Sequence, residues 1–341
     1  MTVKKGVLLL QMGGPCCVSG IEGFLFNLFN DPYIIQLPFF LKPFQKYLAK
    51  FIAARRAPKV AVNYQEIGGR SPILFETQCQ AKALEKKLNE ISNDQYQCFI
   101  AMRYTYPFLK DTLKDIQMAN LDSLDVIPLY PQYSIATTGS SFYECQTMFK
   151  ETGLNDSIDI NYIHSWEDND YFTDLIKNRI LDRIHDFPQN ETIKVLFSAH
   201  GLPKKYIEKG DPYQKQIESS CTAIINKIPR DFMARLDWQI TYQSKVGPVK
   251  WLEPNTEDVL KELGKKGVKN ILIIPISFVG DHIETLHELN IEYREVAQKA
   301  GIENYYITRL PKANPQLISA LASCIEPALY NNSLLKEEIT I

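Results

Sequence analysis

Short apolar runs alternate along the chain with longer stretches in which apolar positions recur every three or four residues. Val7–Gln11, Gln97–Met102, Leu124–Pro128, Ile193–Ser198, Trp238–Tyr242 and Asn270–Pro275 are the strand candidates. Each is mostly apolar and bounded by Pro, Gly or polar turn residues, as strands buried on both faces are. Phe75–Asn93, Leu109–Ala119, Tyr171–Phe187, Asp211–Lys227 and Glu284–Ala300 carry the helical period. The alternation predicts an α/β protein built on parallel sheets.

The pattern also repeats. The run from Gly6 to Pro15 lines up with that from Lys194 to Pro203, each reading as a buried strand, a polar or soft side chain (Met12, His200), Gly, one residue and Pro. Asp125-Val-Ile-Pro128 echoes Leu272-Ile-Ile-Pro275 in the same way. Offsets of about 150 to 190 residues predict a duplicated doubly wound unit. In such sheets ligands sit beyond the carboxyl ends of the strands. That rule singles out Met12, Arg103-Tyr104, Tyr130–Ser141, His200, Gln243–Lys245 and Phe278–Glu284.

Length and composition sharpen this picture. The 341 residues suit two domains of ordinary size, expected over residues 1–150 and 151–313, with 314–341 forming a C-terminal helix. A net charge of −2 carries no polyanion-binding signature, so no nucleic-acid partner is expected. The seven cysteines are scattered with no CxxC pair, which fits thiols in a reducing compartment. The N-terminal apolar run is short for a signal segment, and no stretch reaches the roughly 18 apolar residues that span a bilayer. A cytoplasmic protein is the expectation.

Several constellations carry chemistry. His200 at a strand end, with Gly201 beside it, suits a proton acceptor or metal ligand, although a structural histidine would look the same. Asp281-His282-Ile283-Glu284 opens a helical pattern. Residues 282 and 284 stand about 200° apart on a continuous α-helix, so they share a target only if the helix starts near Ile283, leaving His282 extended. Glu284 in the first turn then suits the helix dipole; capping with solvated charges is the plainer account. His287 reads as a surface helix residue. Taken together, His200, His282 and Glu284 offer imidazole and carboxylate, ligands suited to divalent iron in a transient site.

Aromatic residues (Tyr104, Tyr106, Tyr130, Tyr133, Phe142, Tyr143, Trp251, Phe278) cluster near these strand ends, as core or as walls for a flat apolar ligand. Arg55-Arg56-Ala-Pro58, Tyr64 and Gly68-Gly-Arg-Ser71-Pro72 read equally as a carboxylate-binding segment or a solvated basic loop. Residues 37–48 mix bulky apolar groups with Lys42 and Lys46, as either a membrane-touching lip or a core helix would.

Taken in order, these motifs resemble those of the ferrochelatase family. They are Leu10–Pro15, Arg55–Lys59, Tyr64 with Ile67–Pro72, Met102–Tyr104, Tyr130–Ser134 with Thr137–Ser141, and Phe197–Pro203. Gly210–Tyr213, Tyr242–Pro248, Trp251-Leu252, and Pro275-Ile276 with Asp281–Thr285 continue the series, so the resemblance runs from about residue 6 to residue 315. It implies two Rossmann-like doubly wound domains of the class II chelatase kind, a porphyrin cleft between them, and a C-terminal helix returning to the first domain. It also implies insertion of Fe²⁺ into protoporphyrin IX, releasing two protons and forming haem, the terminal step of haem biosynthesis.

Residue by residue, the resemblance assigns His200 to metal binding and pyrrole deprotonation, Glu284 to metal or proton handling, and His282 to its side as a neighbour. Arg56, Tyr64 and Ser71 match positions that hold propionates or line the pocket mouth. Arg103, Tyr104, Trp251 and Phe278 match pocket walls. Met12 stands where the coproporphyrin-using branch typically has Tyr, which favours protoporphyrin. The tail holds only Cys324, too few ligands for the iron–sulfur cluster that some members carry. No permanently bound cofactor is implied, only Fe²⁺ and porphyrin as substrates. A coproporphyrin III ferrochelatase, a cobalt chelatase and a non-catalytic porphyrin carrier are the competing readings. The 37–48 lip would make the contact at the inner membrane surface peripheral.

Overall fold

The computed structural model describes residues 2–245, 247 and 249–330. Val246 and Pro248 of the Tyr242–Pro248 motif, and the end of the expected 314–341 segment, lie outside them. The chain divides into two units. One holds residues up to Tyr130, Ile135–Trp166 and the segment from Lys312; the other holds Pro131–Ser134 and Glu167–Pro311.

The first unit is built on strands β1 (Lys4–Gln11), β2 (Gln95–Met102), β3 (Ser123–Pro128) and β4 (Asp159–Tyr162), all parallel, in the order β2-β1-β3-β4. Its helices are α1 (Ile21–Asn30), α2 (Gln45–Glu66), α3 (Ile73–Ile91), α4 (Leu109–Met118) and α5 (Ser140–Glu151). Val7, Leu8 and Leu9 have no exposed surface, because β1 is paired on both edges and packed on both faces. Leu8 and Leu10 meet Phe99, Leu113, Ile116 and Phe149 in one core cluster.

The second unit repeats the plan. Strands β5 (Ile193–His200), β6 (Leu236–Gln243), β7 (Asn270–Pro275) and β8 (Asn304–Ile307) are parallel in the order β6-β5-β7-β8. Around them lie α6 (Asp170–Ile184), α7 (Lys204–Glu208), α8 (Tyr213–Asn226), α9 (Arg230–Met233), α10 (Thr256–Lys265) and α11 (Tyr293–Lys299). The last helix, α12 (Pro315–Ile325), packs on α3 in the first unit. Lys5 Nζ holds the end of α12 through Glu326 Oε1 at 2.6 Å and also pairs with Asp94 at 3.0 Å.

Three local features depart from the sequence expectations. The Arg55–Tyr64 segment, weighed as a loop, is helical: α2 runs through Pro58 without a break. Pro58 gives up one backbone hydrogen bond, and twenty-two residues of helix around it carry that loss. His287, expected at the surface, is 4% exposed, because the segment Glu284–Glu292 winds as a π-helix. The wider π turn changes which side chains face inward. The short edge strands β4 and β8 had no sequence signal, since their half-exposed polar and aromatic residues lack an apolar run.

Both sheets place their switch of winding direction between the two central strands, β1/β3 and β5/β7. The crevice beyond the carboxyl ends of such a pair is where open α/β sheets bind ligands. In the second unit, that position belongs to His200 and the residues after Pro275.

Candidate active site

His200 is the last residue of β5, and its backbone is clamped from two sides. Its N–H donates to Ser277 Oγ at 3.0 Å, and its carbonyl accepts from the Tyr213 hydroxyl at 3.0 Å. Gly201 follows because nothing larger fits: a Cβ there would stand 2.5 Å from the Gln243 carbonyl oxygen and 3.2 Å from the Trp251 ring. Trp251 thus lies against the residue next to His200.

The helix start after β7 supplies the partners. Glu284 Oε2 lies 3.1 Å from His200 Nδ1 and 3.2 Å from His282 Nε2. The helical segment begins at Glu284, and His282 precedes it; this is the arrangement that lets both side chains reach one target. His282 Nδ1 lies 3.2 Å from the Gly280 carbonyl oxygen. The Phe278 ring packs on His282 at 4.5 Å between centroids and stands edge-on to His200 at 6.3 Å.

Hydrogen-bond logic fixes one tautomer. A carboxylate only accepts, so His200 carries its proton on Nδ1 toward Glu284 and leaves the Nε2 lone pair free. The His200 side chain is 38% exposed, against 19% for Glu284 and 8% for His282, so His200 is the most accessible of the three.

Electrostatics follows the geometry. Burial disfavours charge on His200, but the Glu284 carboxylate beside it, with Glu288 beyond, outweighs burial and raises its pKa above the ordinary value. Burial alone would raise the Glu284 carboxyl; the imidazoles of His200 and His282 reverse this and hold it well below the usual carboxylate range.

One turn on, Glu288 is a group that the sequence reading missed. It accepts from Ser244 N at 2.8 Å, Ser244 Oγ at 2.5 Å, Gln243 Nε2 at 3.1 Å and Tyr293 OH at 2.8 Å. Burial first and Glu284 second push its carboxyl up. Its four-residue spacing from Glu284 was the available signal. Ser244 reaches it from a left-handed backbone conformation, φ 63°, which a serine adopts at some cost.

The remaining candidates lie in the first unit. Met12 follows β1 and is partly exposed; its carbonyl accepts from Tyr104 N at 3.1 Å. Arg103 bridges Asp31 Oδ2 at 3.1 Å and Glu144 Oε1 at 3.2 Å and donates to Ser140 Oγ at 2.9 Å. Tyr104 is buried with its hydroxyl on Asp31 Oδ2 at 2.8 Å. Asp31, which the sequence did not single out, therefore fixes two candidate residues. Ser71, 8% exposed, donates its N–H to the Pro15 carbonyl at 2.8 Å. Tyr64 is buried within α2, and Arg56, two turns earlier, stacks its guanidinium on Phe29 at 5.3 Å.

Among the described residues, no group of three or more His, Cys, Asp or Glu is arranged to hold a metal.

Comparison with known proteins gives the family. A family model described as Ferrochelatase matches residues 4–329. The chain belongs to the ferrochelatase family. A ferrochelatase from Gloeothece citriformis is 45% identical over 338 residues, covering 99% of this chain and 86% of that protein. One from Pelagibacter ubique is 44% identical over 326 residues, covering 95% and 91%. Among solved structures, SirB from Bacillus subtilis with Fe³⁺ superposes with a TM-score of 0.55 at 13% identity, covering 97% of this chain and 98% of that one. At that identity the likeness is one of fold. As a ferrochelatase the protein is a metal chelatase of the lyase class acting in haem biosynthesis, with Fe²⁺ and a porphyrin as substrates.

Proposed function

We propose that the protein inserts Fe²⁺ into protoporphyrin IX, with His200 as the base that accepts a pyrrole proton. A porphyrin holds two N–H protons in the hole that the metal must enter. His200 Nε2 is suited to take one: Glu284 fixes the tautomer and raises the basicity, and a base poised near neutral pH is the effective one. Glu284 and His282 tune His200 or relay the second proton onward to solvent, since the two imidazoles hold Glu284 too acidic to keep it. Before the first proton arrives, the same Nε2 lone pair of His200 can meet the metal, with Glu284 as the second protein donor. Aromatic and apolar groups, Phe278, Trp251 and Met12 among them, serve the ring, whose distortion would turn nitrogen lone pairs outward. Arg56, Tyr64 and Ser71 serve its propionates or the pocket mouth, and Arg103 and Tyr104 its walls.

The observation that carries this reading is the His200–Glu284 contact at the carboxyl end of β5. The test is anaerobic absorbance of the protein with protoporphyrin IX and Fe²⁺. His200→Ala should abolish insertion while porphyrin still binds; retained turnover would remove His200 from the mechanism. Met12 favours protoporphyrin, so coproporphyrin III should turn over more slowly. Equal or faster turnover would reverse the assignment.

The reading includes no iron–sulfur cluster, because Cys324 is the one cysteine after Cys221. It places the protein in the cytoplasm with a peripheral membrane contact. Phe39, Phe40, Phe44, Tyr47 and Phe51 are exposed beside Lys42, Lys46 and Lys50, a pairing suited to the interface of an anionic bilayer. No helix among the described residues is long and apolar enough to cross a membrane.

A further inference from the structure

The first unit carries a pair of reactive side chains that the reading above does not use. Cys16 and Cys17 follow Pro15 in the turn between β1 and α1, and both are exposed. Their sulfurs stand 3.8 Å apart. Adjacent side chains on an extended segment point to opposite sides, so this turn brings together two thiols that the default geometry would separate. The spacing has chemical meaning. Two thiolates bound to one tetrahedral ion, each about 2.3 Å from it, stand about 3.8 Å apart.

The turn that carries them is anchored. The Pro15 carbonyl accepts from Ser71 N at 2.8 Å, and Gly20 N donates to the Cys17 carbonyl at 3.0 Å. The Ser19 hydroxyl lies 3.2 Å from Cys17 Sγ, placed to donate to a thiolate. That hydroxyl first, then the Gly20 N–H, holds the Cys17 thiol below its ordinary pKa. Cys17 beside it pushes the Cys16 thiol up. A cation between the two sulfurs would remove that penalty.

We propose that Cys16 and Cys17 form a bidentate site for one soft divalent cation of the Zn²⁺ and Cd²⁺ kind, independent of His200 and Glu284. Each cysteine loses its proton to solvent as its metal–sulfur bond forms, and no electrons move. Water or a small thiol completes the tetrahedron, since among the described residues no three-ligand group includes these sulfurs.

The test titrates the full-length, reduced protein with Cd²⁺ alone, reading the thiolate-to-metal charge-transfer absorbance. One Cd²⁺ per chain is expected. Cys16→Ser and Cys17→Ser should each weaken binding by roughly tenfold or more, while Cys79→Ser and His200→Ala leave the absorbance titration unchanged. Serine at exposed positions spares the core, so the variants should fold. Wild-type affinity in either single variant would overturn the site. So would saturation at half an equivalent with chains paired in gel filtration, because the thiols would then meet across two molecules.

Discussion

At the scale of single residues, the His200–Glu284 pair makes a prediction whose sign can be worked out. The neutral imidazole is the working base, and Glu284 raises its pKa, so activity should fall as pH drops through that raised value. Glu284→Gln removes the charge that sustains the shift. The acid limb of kcat/KM should then move to lower pH, even as the maximal rate falls with the loss of a proton acceptor. A limb that stays in place would detach Glu284 from His200. Tyr213 acts on the same histidine through its backbone. Tyr213→Phe should cost about 1 kcal/mol of stability in denaturant unfolding and lower kcat with little change in porphyrin KM; an unchanged kcat would make that bond purely structural. Arg103 is different in kind, since it neutralises Asp31, whose side chain is 1% exposed, and Glu144. Arg103→Ala leaves buried acid unpaired and should destabilise the fold by about 3–5 kcal/mol, with Asp31→Asn recovering part of the loss.

At the scale of elements, what the sequence revealed and what it hid divide on a physical line. The central strands were legible because burial on both faces demands a nearly unbroken apolar run, as in Val7–Leu10 and Asn270–Pro275, while the edge strands β2 and β6 showed through the apolar residues among their buried positions. β4 and β8 were not, being short edges with exposed faces and mixed composition. His200 was legible as a polar residue ending an apolar strand. Asp31 and Glu144 were not, because their meaning depends on Arg103 arriving from another element. The π-helical segment Glu284–Glu292 hid the burial of His287, since periodicity arguments assume the α repeat. The closing of α12 onto the first unit rests on a similar long-range pairing, in which Glu326 joins Lys5 and Tyr96. Glu326→Gln should cost about 1–3 kcal/mol, read as a lower denaturant midpoint, and a midpoint within error of the parent would show that apolar packing alone holds the helix.

At the scale of the whole molecule, the repeated pattern seen in the sequence has a counterpart in the two sheets, each with its four strands in the same relative order. Their registers bring Leu10 opposite Pro128 and Ser198 opposite Pro275, so Met12 and His200 occupy matching positions two residues on. One plan used twice has thus acquired a soft apolar side chain in one copy and a base in the other. Charge is also unevenly distributed: the net charge is −2, yet α2 concentrates Lys46, Lys50, Arg55, Arg56 and Lys59 beside a row of exposed aromatics. The two components respond differently to salt. Attraction of lysines to anionic lipid is screened beyond about 10 Å at 0.1 M salt, whereas burial of a ring, contributing about 1.5–3 kcal/mol when complete, is not. Co-sedimentation with phosphatidylglycerol vesicles should therefore weaken but persist as salt rises. Replacing Phe39, Phe40 and Phe44 with Ser should abolish what persists, without altering insertion of Fe²⁺ measured in detergent. If the triple variant sediments like the parent at high salt, the aromatics are not the membrane contact.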